Sequence, residues 1–176
     1  VPRREPPHRP VEERLRDFAP VEGCLDEDAL REQAARCMDC GVPFCHACAC
    51  PLGNAIPEIN DLACRGRWRE ALELLLETDP FPEFTGRICP ALCEGSCVLA
   101  IDGEAVAIRQ VERAVAEKGF ETGTLAPRPP ARRRAGRAAV IGSGPAGLAA
   151  ADALNRAGFE AVVYDDAARP GGILRY

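Results

Sequence analysis

Apolar residues recur at helical spacing in three stretches of the chain. From Asp26 or Asp28 a helix is predicted through Ala29, Leu30, Ala34 and Ala35, its aspartates suited to the positive N-terminal end, delivering Cys37 at its C-terminal edge. A second is predicted over 66–77, where Trp68, Leu72, Leu75 and Leu76 form a stripe that Thr78-Asp79-Pro80 terminates. A third is predicted over 104–118 with Gly119 as its stop; Ile108, Val111 and Val115 mark its apolar face, and Glu112 lies beside that face and can point inward. The Pro- and Arg-rich residues 1–22 are expected to lie extended without a core. Residues 121–137, with Gly123, Pro127, Pro129 and Pro130 beside Arg132 to Arg134, lack any period and read as a linker. Beyond them an apolar run over 138–141, a Gly-rich turn, a helix to Ala157-Gly158 and a run over 160–164 read as strand, turn, helix and strand.

The predicted class is therefore α+β: an extended segment 1–22, a helical domain 23–120, a linker 121–137, and over 138–176 the first βαβ unit of a Rossmann-type domain. Two strands and a helix cannot close a doubly wound sheet, so these residues are expected to belong to a longer polypeptide.

Charge narrows the function. With 27 acidic and 22 basic residues the net charge is −5, which gives no global positive field for nucleic acid or an anionic membrane. The arginine run at 132–134 has no interleaved aromatic residue and reads as a solvated connector. No apolar run approaches the ~18–20 residues of a membrane span, and the N-terminal residues form no signal-peptide core. A soluble cytoplasmic protein is expected, with neither nucleic acid nor membrane as partner.

Ten cysteines change the picture. Eight fall in two bunches, Cys37, Cys40, Cys45, Cys48 and Cys50, then Cys89, Cys93 and Cys97, and such closeness favours a metal site over disulfides. Cys24 and Cys64 stand apart and are expected to be inert packing. The run Cys37-x2-Cys40-x4-Cys45-x4-Cys50-Pro51 is similar to the ferredoxin-like arrangement, in which three close thiolates serve one cubane and the cysteine before Pro serves another. Two clusters are suggested, with Cys89, Cys93 and Cys97 as the distant ligands. Structural zinc in an interaction module is the competing reading, although the second bunch, spaced by three and three, suits a zinc ribbon poorly.

The other chemistry lies at Gly142-Ser143-Gly144-Pro145-Ala146-Gly147, between the first predicted strand and its helix. These glycines permit a tight turn, close approach to a pyrophosphate and close helix packing, while the helix N-terminus favours the negative charge. Asp165, 23 residues after Gly142 at the end of the second strand, can accept hydrogen bonds from a ribose diol; Asp166 is the alternative. Gly171-Gly172 offers a further close backbone approach or a simple turn.

Taken together, Cys37 to His46, Cys50-Pro51-Leu52-Gly53-Asn54, Ile56-Pro57-Glu58, Gly66-Arg67-Trp68, Phe81 to Pro90 and Gly142 to Ala151 resemble the small (beta) subunit family of bacterial NADPH-dependent glutamate synthases, from about Arg9 onward. The cysteine module alone also resembles that of dihydropyrimidine dehydrogenase and related NAD(P)H-linked flavoproteins. The resemblance implies that NADPH reduces FAD and that two [4Fe-4S] clusters lead electrons to FMN on a large (alpha) subunit, where glutamine and 2-oxoglutarate yield glutamate. It implies Cys37, Cys40, Cys45 and Cys97 around one cluster, and Cys50, Cys89, Cys93 and Glu112 around the other. An ion pair with Arg109 is the plain alternative for Glu112. Family members commonly carry Cys-His-x-Gly-Cys-Pro, whereas Cys45-His46-Ala47-Cys48-Ala49-Cys50-Pro51 is one residue longer; the Pro-Leu-Gly-Asn context selects Cys50 over Cys48, and His46 is expected beside the site or exposed. The implied NADPH-binding domain lies beyond Tyr176, so this chain alone is expected to be inactive with NADPH.

Overall fold

The computed structural model describes residues 1–176, which divide into two compact units, Val1–Leu125 and Ala126–Tyr176. The first is helical. After a turn of helix α1 (Val11–Arg14) come α2 (Glu27–Ala34), α3 (Ile56–Cys64), α4 (Trp68–Thr78), α5 (Pro82–Ile88), the single turn α6 (Leu92–Gly95) and α7 (Ile108–Glu121). Asp26 caps α2 by accepting from the Ala29 amide at 2.8 Å, which satisfies one of the free N–H groups of its first turn. The core is made where α2, α3, α4 and α7 meet: Ala34, Ile59, Ala63, Ala71, Leu72, Leu75, Val111 and Val115 are all buried. No helix is long and apolar enough to cross a membrane.

Several expectations need correction. Residues 1–22 are not wholly extended, since α1 interrupts them and His8 pairs with Glu22 in an antiparallel bridge. Helices α3 and α5 were not anticipated; each carries a proline in its first turn, where the missing N–H costs nothing. Gly119 does not stop α7, which runs on to Glu121. A Cβ at Gly119 would lie 2.6 Å from Leu72 Cδ2, so this glycine serves the close approach of α7 to α4. Cys64 packs against the core as expected, but Cys24 is exposed.

The second unit is a βαβ element. Strands β1 (Arg137–Ile141) and β2 (Glu160–Tyr164) pair in parallel, with Val140 opposite Val163, and α8 (Pro145–Arg156) makes the crossover. No apolar side chain of this unit is fully buried, and Ile141, Tyr164 and Ile173 are exposed.

Candidate metal and dinucleotide sites

The cysteine loops owe their shape to backbone constraints. The Cys37 amide donates to Ala34 O at the end of α2, and Asp39 then adopts a left-handed φ of 48°, which turns the chain so that Cys40 follows Cys37 back. Cys45–Ala49 form one wide turn of π-helix, the Cys50 amide bonding Cys45 O at 3.0 Å. That wide turn accommodates the long Cys45-to-Cys50 run and leaves Cys48 exposed. Farther on, Ala91 at φ 53° reverses the chain between Cys89 and Cys93.

The thiols part into two sets. Cys37, Cys40, Cys45 and Cys97 rim one cavity, walled by Ile56, Val106, Ile108 and Asn60. Cys50, Cys89, Cys93 and Glu112 rim another, with Asn54 and Asp79 beside them. Cys48 lines neither. Each set surrounds a space rather than a point.

Burial sets Cys37, Cys45 and Cys93 apart from ordinary thiols. Burial pushes Cys45 up to about 11, opposed by the His46 amide and reinforced by Cys37, Cys97 and Cys40. Burial also raises Cys37 and, more strongly, Cys93, which Glu112 raises further. Glu112 itself is pushed up to about 7, first by burial and against the hydrogen bond from Asn54. Four thiolates crowded into an apolar wall would repel one another, and a polynuclear metal group bound there would supply the positive charge that holds them deprotonated.

Fit can be judged from the polar atoms. The Asn54 amide donates to Cys50 Sγ and the Ala91 amide to Cys89 Sγ, each at 3.4 Å, the kind of N–H···S contact that supports cluster thiolates. Asn60, 1 % exposed, carries an amide whose Nδ2 and Oδ1 both lack a partner in the wall of the first cavity. Soft donors, apolar walls and spare N–H groups suit iron–sulfur groups in both sets.

Glu112 does not pair with Arg109. Its Oε1 accepts from Asn54 Nδ2 at 2.8 Å, while Arg109 and Gln110 bond Glu22. Thr78 Oγ1 donates to Asn54 Oδ1 at 2.8 Å, and His46 Nδ1 lies 2.8 Å from Asn54 O, which places His46 beside the site and only partly exposed. Asn54 and Asn60 were given no role from the sequence. The signal was available for Asn60, which shares the buried side of α3 with Ile56 and Ala63, a position where a polar residue calls for a purpose.

In the second unit Gly142 has φ 95° and its amide bonds Tyr164 O at 2.7 Å, which closes the turn after β1. A Cβ at Gly147 would lie 1.9 Å from Gly142 O, so only glycine allows α8 to start so close to the strand. Ser143 is buried, and its Oγ donates to Asp165 Oδ2 at 2.7 Å; the Ser143 amide donates to the same oxygen and the Ala167 amide to Oδ1. These donors hold Asp165 down at about 2. Pro145 opens α8, Ala146 is exposed in its first turn, and Gly172, at φ 53°, lies close over Gly144. Asp166 is exposed at the same rim. Structure thus brings Gly142 to Gly147, Asp165 and Gly172 together.

Comparison with known proteins agrees with this division. Residues 14–124 match the family described as dihydropyrimidine dehydrogenase domain II, 4Fe-4S cluster, and residues 140–175 match the NAD(P)-binding Rossmann-like domain. The chain is 54 % identical over 174 residues to the glutamate synthase [NADPH] small chain of Mycobacterium tuberculosis, covering 99 % of this chain and 36 % of that one. It is 51 % identical over 184 residues to the corresponding small chain of Bacillus subtilis, covering 100 % and 37 %. Against the glutamate synthase [NADH] of Schizosaccharomyces pombe it is 54 % identical over 175 residues, 99 % of this chain and 8 % of that protein. The chain thus spans little more than a third of the small chains it matches.

Proposed function

Because this chain belongs to the 4Fe-4S family of dihydropyrimidine dehydrogenase domain II and is a homologue of glutamate synthase small chains, we propose that it is the electron-transfer segment of such a small chain. In this reading electrons from NADPH pass by way of FAD and two [4Fe-4S] clusters to an FMN-containing large subunit that makes glutamate from glutamine and 2-oxoglutarate. The observation that carries it is the division of seven cysteines and Glu112 between two cavities. When bound, the flavin would take a hydride's two electrons together and release them one at a time, and each cluster would carry one, which converts hydride chemistry to single-electron transfer.

The protein's own residues hold and shield. Cys37, Cys40, Cys45 and Cys97 hold one cluster, and Cys50, Cys89, Cys93 and Glu112 the other. Ile56, Val106 and Ile108 keep water from the first set. Asn54 occupies one oxygen of Glu112 and leaves the other for the metal. The glycine turn and the start of α8 take the FAD pyrophosphate, and Asp165 keeps its charge to receive a ribose hydroxyl. A cytoplasmic setting fits, since reducing conditions keep the thiols free.

The test uses the full-length protein with its large subunit. Cys37→Ser is expected to abolish NADPH-driven glutamate formation while NADPH still reduces a small artificial acceptor at the flavin. Wild-type glutamate formation in Cys37→Ser would refute the proposed path. Glu112→Ala is expected to alter the spectrum of one cluster alone, and unchanged spectra and iron content would refute its role as ligand.

A further inference from the structure

Two buried asparagines stand at the two thiol sets, and their amides are used differently. Asn54, at the second set, is fully engaged: Nδ2 donates to Glu112 and Oδ1 accepts from Thr78, both at 2.8 Å. Asn60, on α3 at the wall of the first set, is 1 % exposed, and neither of its polar side-chain atoms reaches a hydrogen-bond partner. Asn60 and Cys37 line the same cavity, and no hydrogen bond joins the amide to the thiol. Leaving such an amide orphaned is unfavourable, because the hydrogen bonds it gave up to water are not replaced. A leucine of similar size would pack between Ile56 and Ala63 on that buried face without the cost.

We propose that the Asn60 side-chain amide donates a hydrogen bond to the sulfur of the cluster held by Cys37, Cys40, Cys45 and Cys97, and that this bond raises the cluster's reduction potential. The inference rests on the cluster reading above and names the residue that sets one of its working properties. An N–H aimed at sulfur stabilises the reduced form more, because that form carries the extra negative charge. Asn60 touches no partner in the second set, so its effect is confined to the first. It acts through the cluster's electronics and is a positioning and tuning residue.

The experiment is a potentiometric EPR titration of the iron-loaded full chain, wild type against Asn60→Leu. The bond is stronger to the more negative reduced cluster, so without it the ratio of reduced to oxidised first cluster at fixed potential is expected to fall about tenfold. Tenfold corresponds to about 59 mV downward for a one-electron couple. The second cluster is expected to keep its potential, and iron content its wild-type value. An unshifted first cluster in fully loaded Asn60→Leu overturns the proposal.

A second arm needs no variant at Asn60. Asparagine labelled with nitrogen-15 only at its side-chain amide is incorporated, and pulsed EPR of the reduced first cluster is expected to show a nitrogen coupling that persists in Asn54→Ala. Absence of that coupling, or its loss in Asn54→Ala, overturns the proposal whether or not Asn60→Leu takes up its cluster. Colourless protein without iron would instead sink the cluster reading itself, which separates the two failures.

Discussion

The two units of this chain build their sites on opposite terms. In the helical unit the walls of both thiol cavities belong to helices whose other sides lie in a packed core, as with Ile56 and Ile59 on α3 or Ile108 and Val111 on α7. In the βαβ unit no apolar side chain is fully buried, and among its polar side chains only Ser143 is. The first site is held by burial, the second by backbone geometry and hydrogen bonds at one turn. The difference teaches how much one βαβ element fixes by itself: two strands and a helix offer no further layer to bury their apolar side chains, so the turn rests on backbone geometry, whereas packed helices hold the thiols from behind.

That contrast can be broken most readily in the helical core. Leu75→Ala, at a site with no exposure, is expected to cost ~2–5 kcal/mol in a denaturant titration. In the same 176-residue chain the matching truncation in β1, Val140→Ala, is expected to cost less than ~1 kcal/mol, because with only β2 beside it Val140 is partly buried. Equal losses would show that the βαβ unit has a core of its own.

Gly147→Ala sharpens the contrast from the other side. Its Cβ would strike Gly142 O, so relief of the overlap is expected to cost ~1–3 kcal/mol, a loss of about 5- to 150-fold in flavin-nucleotide affinity by fluorescence titration. Iron content is expected to stay as in wild type. A loss of iron in this variant would mean that the turn supports the helical unit as well.

The smallest effect expected concerns pH. Asp165 is held at about 2, below its ordinary 3.8, so the support its charge gives the Ser143 turn is complete above about 4 and is lost as pH falls through about 2. Nucleotide affinity measured from pH 8 down to 5 is therefore expected to show no titration step from this residue. Asp165→Asn is expected to weaken affinity at every pH in that range. A wild-type step between pH 5 and 6 that Asp165→Asn removes would contradict the ionised, hydrogen-bonded Asp165.

Much of this was legible in the residues, and the failures have physical causes. The stripe of α4 follows from apolar periodicity, and strand β2 from a short apolar run placed after the glycine turn and its helix. Helices α3 and α5 were hidden because Pro57 and Pro82 read as punctuation, although proline is preorganised for a first helical turn. Gly119 misled for a related reason: its small size answers to Leu72 across the helix pair, a contact between residues 47 positions apart that no local rule sees. The cysteine motif shows that thiols gather, but spacing leaves Cys97 and Cys93 interchangeable. Folding divides them, by the reversal at Ala91 and the π-turn at Cys45–Ala49. The burial of Glu112 was foreseeable from its place on α7, whereas its partner Asn54 lies 58 residues away.

The central claim is that two polynuclear iron–sulfur groups occupy the helical unit. Quantifying iron, inorganic sulfide and zinc in chain purified without oxygen tests it most directly. The account predicts about eight irons and eight sulfides per chain, four of each per cluster, and no stoichiometric zinc. Bound zinc without sulfide, or the same cysteines recovered as disulfides, would contradict it.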